Sequence, residues 1–391
     1  MSNSPLPINN IDILSKYECG ELSTPEAATI TYIPDRLLFH PHIKPEIITR
    51  WFKNKPIALA HIDTNLGSII NIAIPLFGNQ LYDNKKITIN LLEDALMLAN
   101  KLKIQSVSLT GLLPLLTNYG KDLCEFNMLG PKLILTTGHA TTTAAMLLMI
   151  KNIIKTGRLD FKRQKIGCLG LGSIGLSILK AILMNIEHPA EIFLFDLYSK
   201  DNSLLKIKEY LTSDLKYKGK INTVNYDGSI SDDFYDANFI IGATNIPAIL
   251  DIHKLQPGSI VVDYSDPYCF DLPAACHRFL KHHDILFTEA GLLRSSHLIN
   301  KIISLPSGMN DVLLRHDEES SYEIAGCIIS GLVTLKGQLK KTIGILQDDS
   351  FQDHYEFLIK NKFSTTRLQC GSYQLNSQHI EKFYSEFYPC T

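Results

Sequence analysis

Between Gln164 and Gly291, short apolar runs recur with a regular strand–helix alternation. Lys165–Leu169, Ile192–Phe195, Ile221–Asn225, Phe239–Gly242, Ile260–Asp263 and Ile285–Phe287 read as strands, and Ile174–Met184 and Leu204–Leu211 as helices between them. The strands are too continuously apolar for one face to meet water, which predicts a parallel sheet with helices on both sides. Upstream the rhythm is looser. Residues 1–45, rich in Pro, Ser and Asn, read as an irregular arm with one strand near Thr29–Ile33. Ile57–Ile62 and Ile69–Ile74, separated by Asp63–Gly67, predict a hairpin or two neighbouring strands. Ile89–Leu102 carries Leu91, Leu92, Ala95, Leu96 and Ala99 at helical spacing. Val107–Leu109 and Leu133–Leu135 read as short strands, and His139–Thr156 as a helix with a Thr-rich first turn. After Ser304 the chain turns helical. Tyr322–Leu339 shows a broad apolar face that embeds Gly326, Gly331 and Gly337, each costing a helix roughly 1 kcal/mol relative to Ala, which suggests close backbone approach. The tail, 350–391, offers two weak helices.

Composition narrows this picture modestly. The 391 residues are 45% hydrophobic and 20% charged, the profile of a chain with a substantial core. A formal net charge of −2 without a basic run argues against a nucleic-acid surface. The polar start Met1–Pro5 has neither the basic nor the apolar region of a signal peptide, and Thr143–Ile150 is far too short to span a bilayer, so a cytoplasmic protein with no integral membrane segment is expected. Eight scattered cysteines contain no Cys-x-x-Cys and no zinc spacing, so free thiols are expected and no metal site.

The first strand of the alternating region, Ile166–Leu169, runs straight into Gly170-Leu171-Gly172-Ser173-Ile174-Gly175, and a helix follows. In that context the three glycines have separate tasks. Gly170 permits a tight turn, Gly172 leaves room for a pyrophosphate, and Gly175 lets helix and strand pack closely. The helix start offers free N–H groups and partial positive charge to phosphates. The next strand ends in Asp196, 21 residues beyond Gly175, where a carboxylate accepts ribose hydroxyls and repels a 2′-phosphate. NAD(H) is therefore favoured, with NADP(H) left open. Ala243-Thr244-Asn245, after the fourth strand, would stand beside the nicotinamide ribose. The expected architecture is α/β: a doubly wound parallel sheet of the Rossmann kind over 161–300, and a second, discontinuous α/β domain. That domain would comprise an N-terminal substrate or catalytic part, 1–160, with a C-terminal helical segment, 301–391, packing back on it.

Further motifs share their order with a known group. Asn65-Leu66-Gly67-Ser68-Ile69-Ile70, Ser108-Leu109-Thr110-Gly111, Thr136-Thr137-Gly138-His139, the Gly170–Gly175 turn, Val262-Asp263-Tyr264-Ser265-Asp266-Pro267 and Ala325-Gly326-Cys327-Ile328 run collinearly over roughly 57–340. In this the sequence resembles the long-chain acyl-[acyl-carrier-protein] reductases of cyanobacteria, which form aldehydes. The resemblance implies an acyl thioester substrate, on acyl-carrier protein or CoA, and Cys327 as the residue that takes the acyl group. Two departures stand out. That family prefers NADPH, whereas Asp196 points to NADH, and its Thr-Gly-Asn is here Thr-Gly-His139.

The chemistry of the residues is compatible with this implication. A thiolate attacks an activated acyl group readily at neutral pH. Cys327 as nucleophile, His139 as general acid and Glu323 one helical turn before Cys327 form the catalytic candidates, with oxyanion donors at the helix start after Gly138, including Thr141 or Thr142. Tyr119, Tyr264 and His297 are weaker candidates, and His282-His283 reads as a loop. The bland alternatives are a buried cysteine beside glycines, a capping histidine and a solvated glutamate. Two other functions fit the sequence: an NAD-dependent dehydrogenase of a small hydroxy or amino acid, with His139 as acid–base residue and no covalent step, and a non-enzymatic nucleotide-sensing protein. Oligomeric state is left open.

Overall fold

Two six-stranded sheets dominate the computed structural model, which describes residues 12–35, 45–124, 133–196, 201–224, 226, 228–304, 318–346 and 349–389. The chain divides into two units. The first is Met1–Thr141, Leu293–Ile345 and Asp353–Ser364, and the second is Thr142–Leu292, Leu346–Gln352 and Thr365–Thr391.

The N-terminal part runs α1 (Ile13–Glu18), β1 (Ala27–Ile33), α2 (Pro45–Phe52), β2 (Ile57–Thr64), β3 (Gly67–Phe77), α3 (Lys85–Lys101), β4 (Ser106–Leu109), the one-turn helices α4 (Leu113–Leu116) and α5 (Lys121–Cys124), and β5 (Ile134–Thr136). Asp12 starts α1 by accepting from the N–H groups of Leu14 and Ser15, and Asn84 starts α3 by accepting from Ile87. β2 and β3 pair antiparallel, as their spacing predicts. β1, expected in an irregular arm, lies between β3 and β4, parallel to both, and β5 continues the sheet beside β4. The rest of the arm, 1–11 and 36–44, lies outside the described residues.

Strand alternation gives this sheet two unlike faces. Ile30, Ile70, Ile72, Ile74, Val107 and Leu109 form one core with Leu92, Ala95, Leu96 and Ala99 of α3. Each fully buried Ile or Leu contributes roughly 1.5–3 kcal/mol. On the other face Asn71, Thr29, Ser108 and Thr136 stand in register, one from each of β3, β1, β4 and β5, and all four are buried.

α6 (His139–Gly157) follows, and the division between units falls inside its first turn. Then come β6 (Lys165–Leu169), α7 (Ser173–Asn185), β7 (Glu191–Phe195), α8 (Asp201–Ser213), β8 (Lys220–Thr223), β9 (Phe239–Gly242), β10 (Ser259–Asp263), α9 (Leu272–His282) and β11 (Ile285–Glu289). The six strands are parallel, in the order β11-β10-β9-β6-β7-β8. β6 is central, and the chain winds outward from it in both directions, so this is the doubly wound Rossmann-type sheet that the apolar runs predict. The edge strand β8 ends at Thr223, short of the expected Asn225, which lies outside the described residues.

The remainder comprises β12 (Leu292–Ser295), β13 (Asn300–Ile303), β14 (Glu323–Ala325), α10 (Gly326–Gly337), α11 (Ser350–Lys360), β15 (Phe363–Thr365), β16 (Gln369–Cys370), β17 (Tyr373–Gln374) and α12 (Ser377–Phe387). β13 adds antiparallel to β2 at the edge of the first sheet, and β14, β12 and β15 make a small third sheet. The helix expected over Tyr322–Leu339 begins four residues later, because Glu323–Ala325 is drawn into strand pairing, and Gln338 closes it in the left-handed conformation. α10 lies on the polar face of the first sheet. A Cβ added at Gly331 would stand 3.3 Å from the Ala27 Cβ and 3.5 Å from Ser106 Oγ, which is the close approach its glycines suggest. No described helix is long and apolar enough to cross a membrane.

Candidate functional site

In the second unit, β6 delivers Gly170 at the centre of the doubly wound sheet with φ 86°, a conformation that penalises side chains. An added Cβ there would lie 2.4 Å from the Ala243 carbonyl oxygen, and one at Gly175 would lie 1.9 Å from the Gly170 carbonyl oxygen. These two positions admit only glycine. Gly172 is the N-cap of α7 and contributes no side-chain cap, which leaves the first N–H groups of a 13-residue helix without an internal side-chain partner. Gly172 is exposed and Ile174 half-buried. The Ser173 hydroxyl is already engaged, accepting from Leu346 N–H at 3.0 Å, so Ser173 can serve a ligand through its main chain.

Asp196, at the end of β7, accepts a hydrogen bond from the Leu171 N–H at 2.7 Å through Oδ2. The carboxylate therefore braces the glycine turn from the end of β7, a contact the sequence spacing alone does not reveal. On the other side of the turn, the Ala243 N–H donates to Leu169 O at 2.8 Å, Thr244 N–H donates to Ser265 Oγ at 3.1 Å, and Ile246 N–H donates to Thr244 Oγ1 at 3.2 Å. Ala243, Thr244 and Asn245 are half-buried there.

Sequence reasoning missed Asp263 as a structural anchor. It is buried at the end of β10 and accepts from the N–H groups of Ser265 at 3.0 Å and Cys269 at 2.9 Å, which fixes the loop carrying Tyr264 and Ser265. Burial raises its pKa, and the hydrogen bonds oppose that rise. The Tyr264 ring occupies the space a side chain at Gly291 would need, 2.6 Å from an added Cβ.

In the first unit, β5 leads through Thr137 and Gly138 into α6, and α10 brings Cys327 to the same place. Gly138 has φ 74°, and an added Cβ would stand 3.3 Å from Cys327 Cα and 3.4 Å from Ser330 Cβ. From the sheet, Ser108 Oγ donates to the Cys327 carbonyl oxygen at 2.9 Å. Cys327 itself is half-exposed. The Thr141 hydroxyl bonds Ser330 Oγ at 3.1 Å and His354 Nδ1 at 2.8 Å, and all three residues are fully buried. His139 opens α6, 8% exposed, with the Tyr119 ring edge-on at 5.8 Å between centroids. Burial pushes its pKa down to about 4, so it is neutral at pH 7.

The structure thus brings Cys327 and Gly138 together and sets His139 next in the chain. Glu323 differs from expectation. It lies on strand β14 rather than a helical turn before Cys327, and it is buried rather than solvated, with its carbonyl oxygen accepting from Lys301 Nζ at 3.0 Å. His297 is exposed and bonds its neighbour Ser296. His282 ends α9 and His283 caps it, its Nδ1–H donating to Phe279 O at 2.8 Å, so this pair is a helix end rather than a loop. Among the described residues no cluster could hold a metal ion, and the described cysteines are free.

No protein-family model and no curated protein matches the chain. Among solved structures it is similar to Thermococcus litoralis Δ1-pyrroline-2-carboxylate reductase, solved with NADH and L-proline, at 16% identity over 32% of this chain and 36% of that one, with a TM-score of 0.25. It is also similar to L-tryptophan dehydrogenase from Nostoc punctiforme, at 11% identity over 86% of this chain and 80% of that one, with a TM-score of 0.40. A third likeness is to aspartate transcarbamoylase from Trypanosoma cruzi, at 14% identity over 64% of this chain and 75% of that one, with a TM-score of 0.33. The match to the first spans little more than a third of that enzyme's length.

Proposed function

We propose that the chain is an NAD(P)-dependent oxidoreductase. The observation that carries this reading is the glycine turn at the centre of the doubly wound sheet, where added Cβ atoms at Gly170 and Gly175 would meet backbone oxygens and where Asp196 braces Leu171. Such a cradle fits a dinucleotide. The Gly170 N–H is spent on Phe195 O at 2.9 Å, so Gly170 would serve by its tight turn while the main-chain N–H groups of Gly172, Ser173, Ile174 and Gly175 hold the pyrophosphate, Asp196 the adenine-side ribose, and Ala243, Thr244 and Asn245 the nicotinamide side. When bound, the nicotinamide supplies or accepts a hydride. The Asp196 carboxylate favours NAD(H), and NADP(H) is left open.

Within this class, direct reaction with a small hydroxy or amino acid calls on His139. A neutral imidazole offers one N–H and one lone pair, so it can pass a proton to or from the substrate oxygen or nitrogen. The depressed pKa of His139 keeps the imidazole in this neutral form at pH 7.

Reduction of an acyl thioester to an aldehyde calls on Cys327 instead. Its sulfur would bond the acyl carbon while the bond to the carrier sulfur breaks, and the carrier (CoA or acyl-carrier protein) would leave as a thiol. The half-exposed position of Cys327 at the start of α10, fixed by Ser108 and Gly138, supports it.

Turnover with NADH against acyl thioesters, and with NAD⁺ against hydroxy and amino acids, tests both. Direct chemistry survives Cys327→Ala and is lost in His139→Gln. Thioester chemistry leaves an acyl adduct on Cys327 by intact mass and is lost in Cys327→Ala. Dinucleotide binding with no turnover of any of these substrates would overturn the oxidoreductase reading.

A further inference from the structure

We propose that His354, on α11, is a positioning residue for Cys327, acting through Thr141 and Ser330. Its catalytic meaning rests on the reading of Cys327 as acyl acceptor, whereas the thiol measurements below do not. His354, Thr141 and Ser330 all belong to the first unit, come from three different helices, α11, α6 and α10, and none is exposed. Thr141 Oγ1 is the hub, 2.8 Å from His354 Nδ1 and 3.1 Å from Ser330 Oγ.

A hydroxyl has one proton, so the chain has a direction. If Thr141 donates to Ser330, His354 Nδ1 must be the donor to Thr141; if Ser330 donates to Thr141, then Thr141 donates to an unprotonated Nδ1. Either order requires a nitrogen or oxygen at the Nδ1 position.

Ser330 lies three residues after Cys327, on the same side of α10. The Cys327–Ser330 turn is held at three points: Ser108 Oγ on the Cys327 carbonyl, Gly138 against Cys327 Cα, and Thr141 on Ser330. The third hold is the one His354 orders. A buried polar chain of this kind costs stability if any link is lost, and it fixes geometry when complete. The amino end of a helix favours the anionic, reactive form of a thiol held in its first turn, so a misaligned turn makes a poorer nucleophile.

The test is site-resolved alkylation of the full chain by iodoacetamide, read by peptide mass spectrometry at a temperature where every variant is folded. The exposed Cys19 and Cys124 serve as internal references. His354→Asn keeps hydrogen-bonding groups at the Nδ1 position, His354→Gln moves them to the Nε2 position, and His354→Leu removes them. Cys327 labelling, relative to Cys19 and Cys124, should fall roughly two- to fivefold in the Gln and Leu variants and recover in the Asn variant. Ser330→Ala breaks the same chain without touching the histidine, should show the same fall, and carries the test if the Leu variant fails to fold. Unchanged or faster Cys327 labelling in Gln and Ser330→Ala, or a fall in Asn equal to that in Gln, would overturn the proposal. Acylation of wild-type Cys327 by octanoyl-CoA is measured in parallel; its absence would remove the catalytic meaning while leaving the labelling result to judge the positioning.

Discussion

Replacing Gly170 by alanine isolates the demand that the dinucleotide turn makes on the backbone. At φ 86° an alanine bears roughly 1–2 kcal/mol of conformational cost. Its methyl would also arrive 2.4 Å from the Ala243 carbonyl oxygen and 2.8 Å from the Ala243 carbonyl carbon. Both are backbone atoms, and Ala243 is tied to β6 by its N–H on Leu169 O. Relief requires β6 and the end of β9 to separate, an overpacking cost of roughly 1–3 kcal/mol. The sum is about 2–5 kcal/mol. Amide hydrogen exchange across β6 and β9 reads this locally, and protection should drop at least about 30-fold. Gly172→Ala is the contrast. Gly172 sits at φ −68°, which alanine adopts freely, so exchange should stay near wild type while NADH affinity falls, because the methyl would stand at the proposed pyrophosphate site. Wild-type protection in Gly170→Ala would refute the reasoning.

Other consequences follow from buried polar groups. Folding keeps His139 neutral with a pKa near 4, below the ordinary histidine value near 6.5. Protons therefore favour the unfolded chain; the contribution is complete above pH 6.5 and is lost as pH falls toward 4, about 3 kcal/mol in all, and His139→Gln should flatten that part of the stability–pH curve measured by urea unfolding. Asp263→Ala removes the acceptor of two buried N–H groups and should lower stability by at least about 2 kcal/mol in thermal or urea unfolding. Thr29 Oγ1 is buried in the polar row of the first sheet without a hydrogen-bond partner, so the isosteric Thr29→Val should raise stability by about 1 kcal/mol, and a loss of stability would indicate a bound water.

The second unit was legible because five of its six strands, all but the edge strand β8, are buried on both faces and so read as continuous apolar runs, each closed by a glycine or polar residue. The glycine turn was legible because its neighbours in sequence are also its neighbours in space. The first unit was harder. β1 is a short Ala- and Thr-rich segment whose central place depends on parallel partners far along the chain. Glu323 was misplaced because three residues of strand pairing precede α10, a boundary that helical periodicity does not mark. His354 escaped notice although a signal existed. Phe351, His354 and Leu358 fall at positions i, i+3 and i+7 of α11, and all are fully buried, so the histidine occupies an apolar stripe. What the spacing cannot supply is its partner, Thr141, 213 residues away.

Calorimetric titration of the purified chain with NADH and with NADPH tests the central claim most directly. The account predicts that NADH binds more tightly than NADPH, that Asp196→Ser narrows or reverses the preference, and that Gly170→Ala weakens both. Absence of binding by either dinucleotide at millimolar concentration, or NADH binding indifferent to both substitutions, would contradict it.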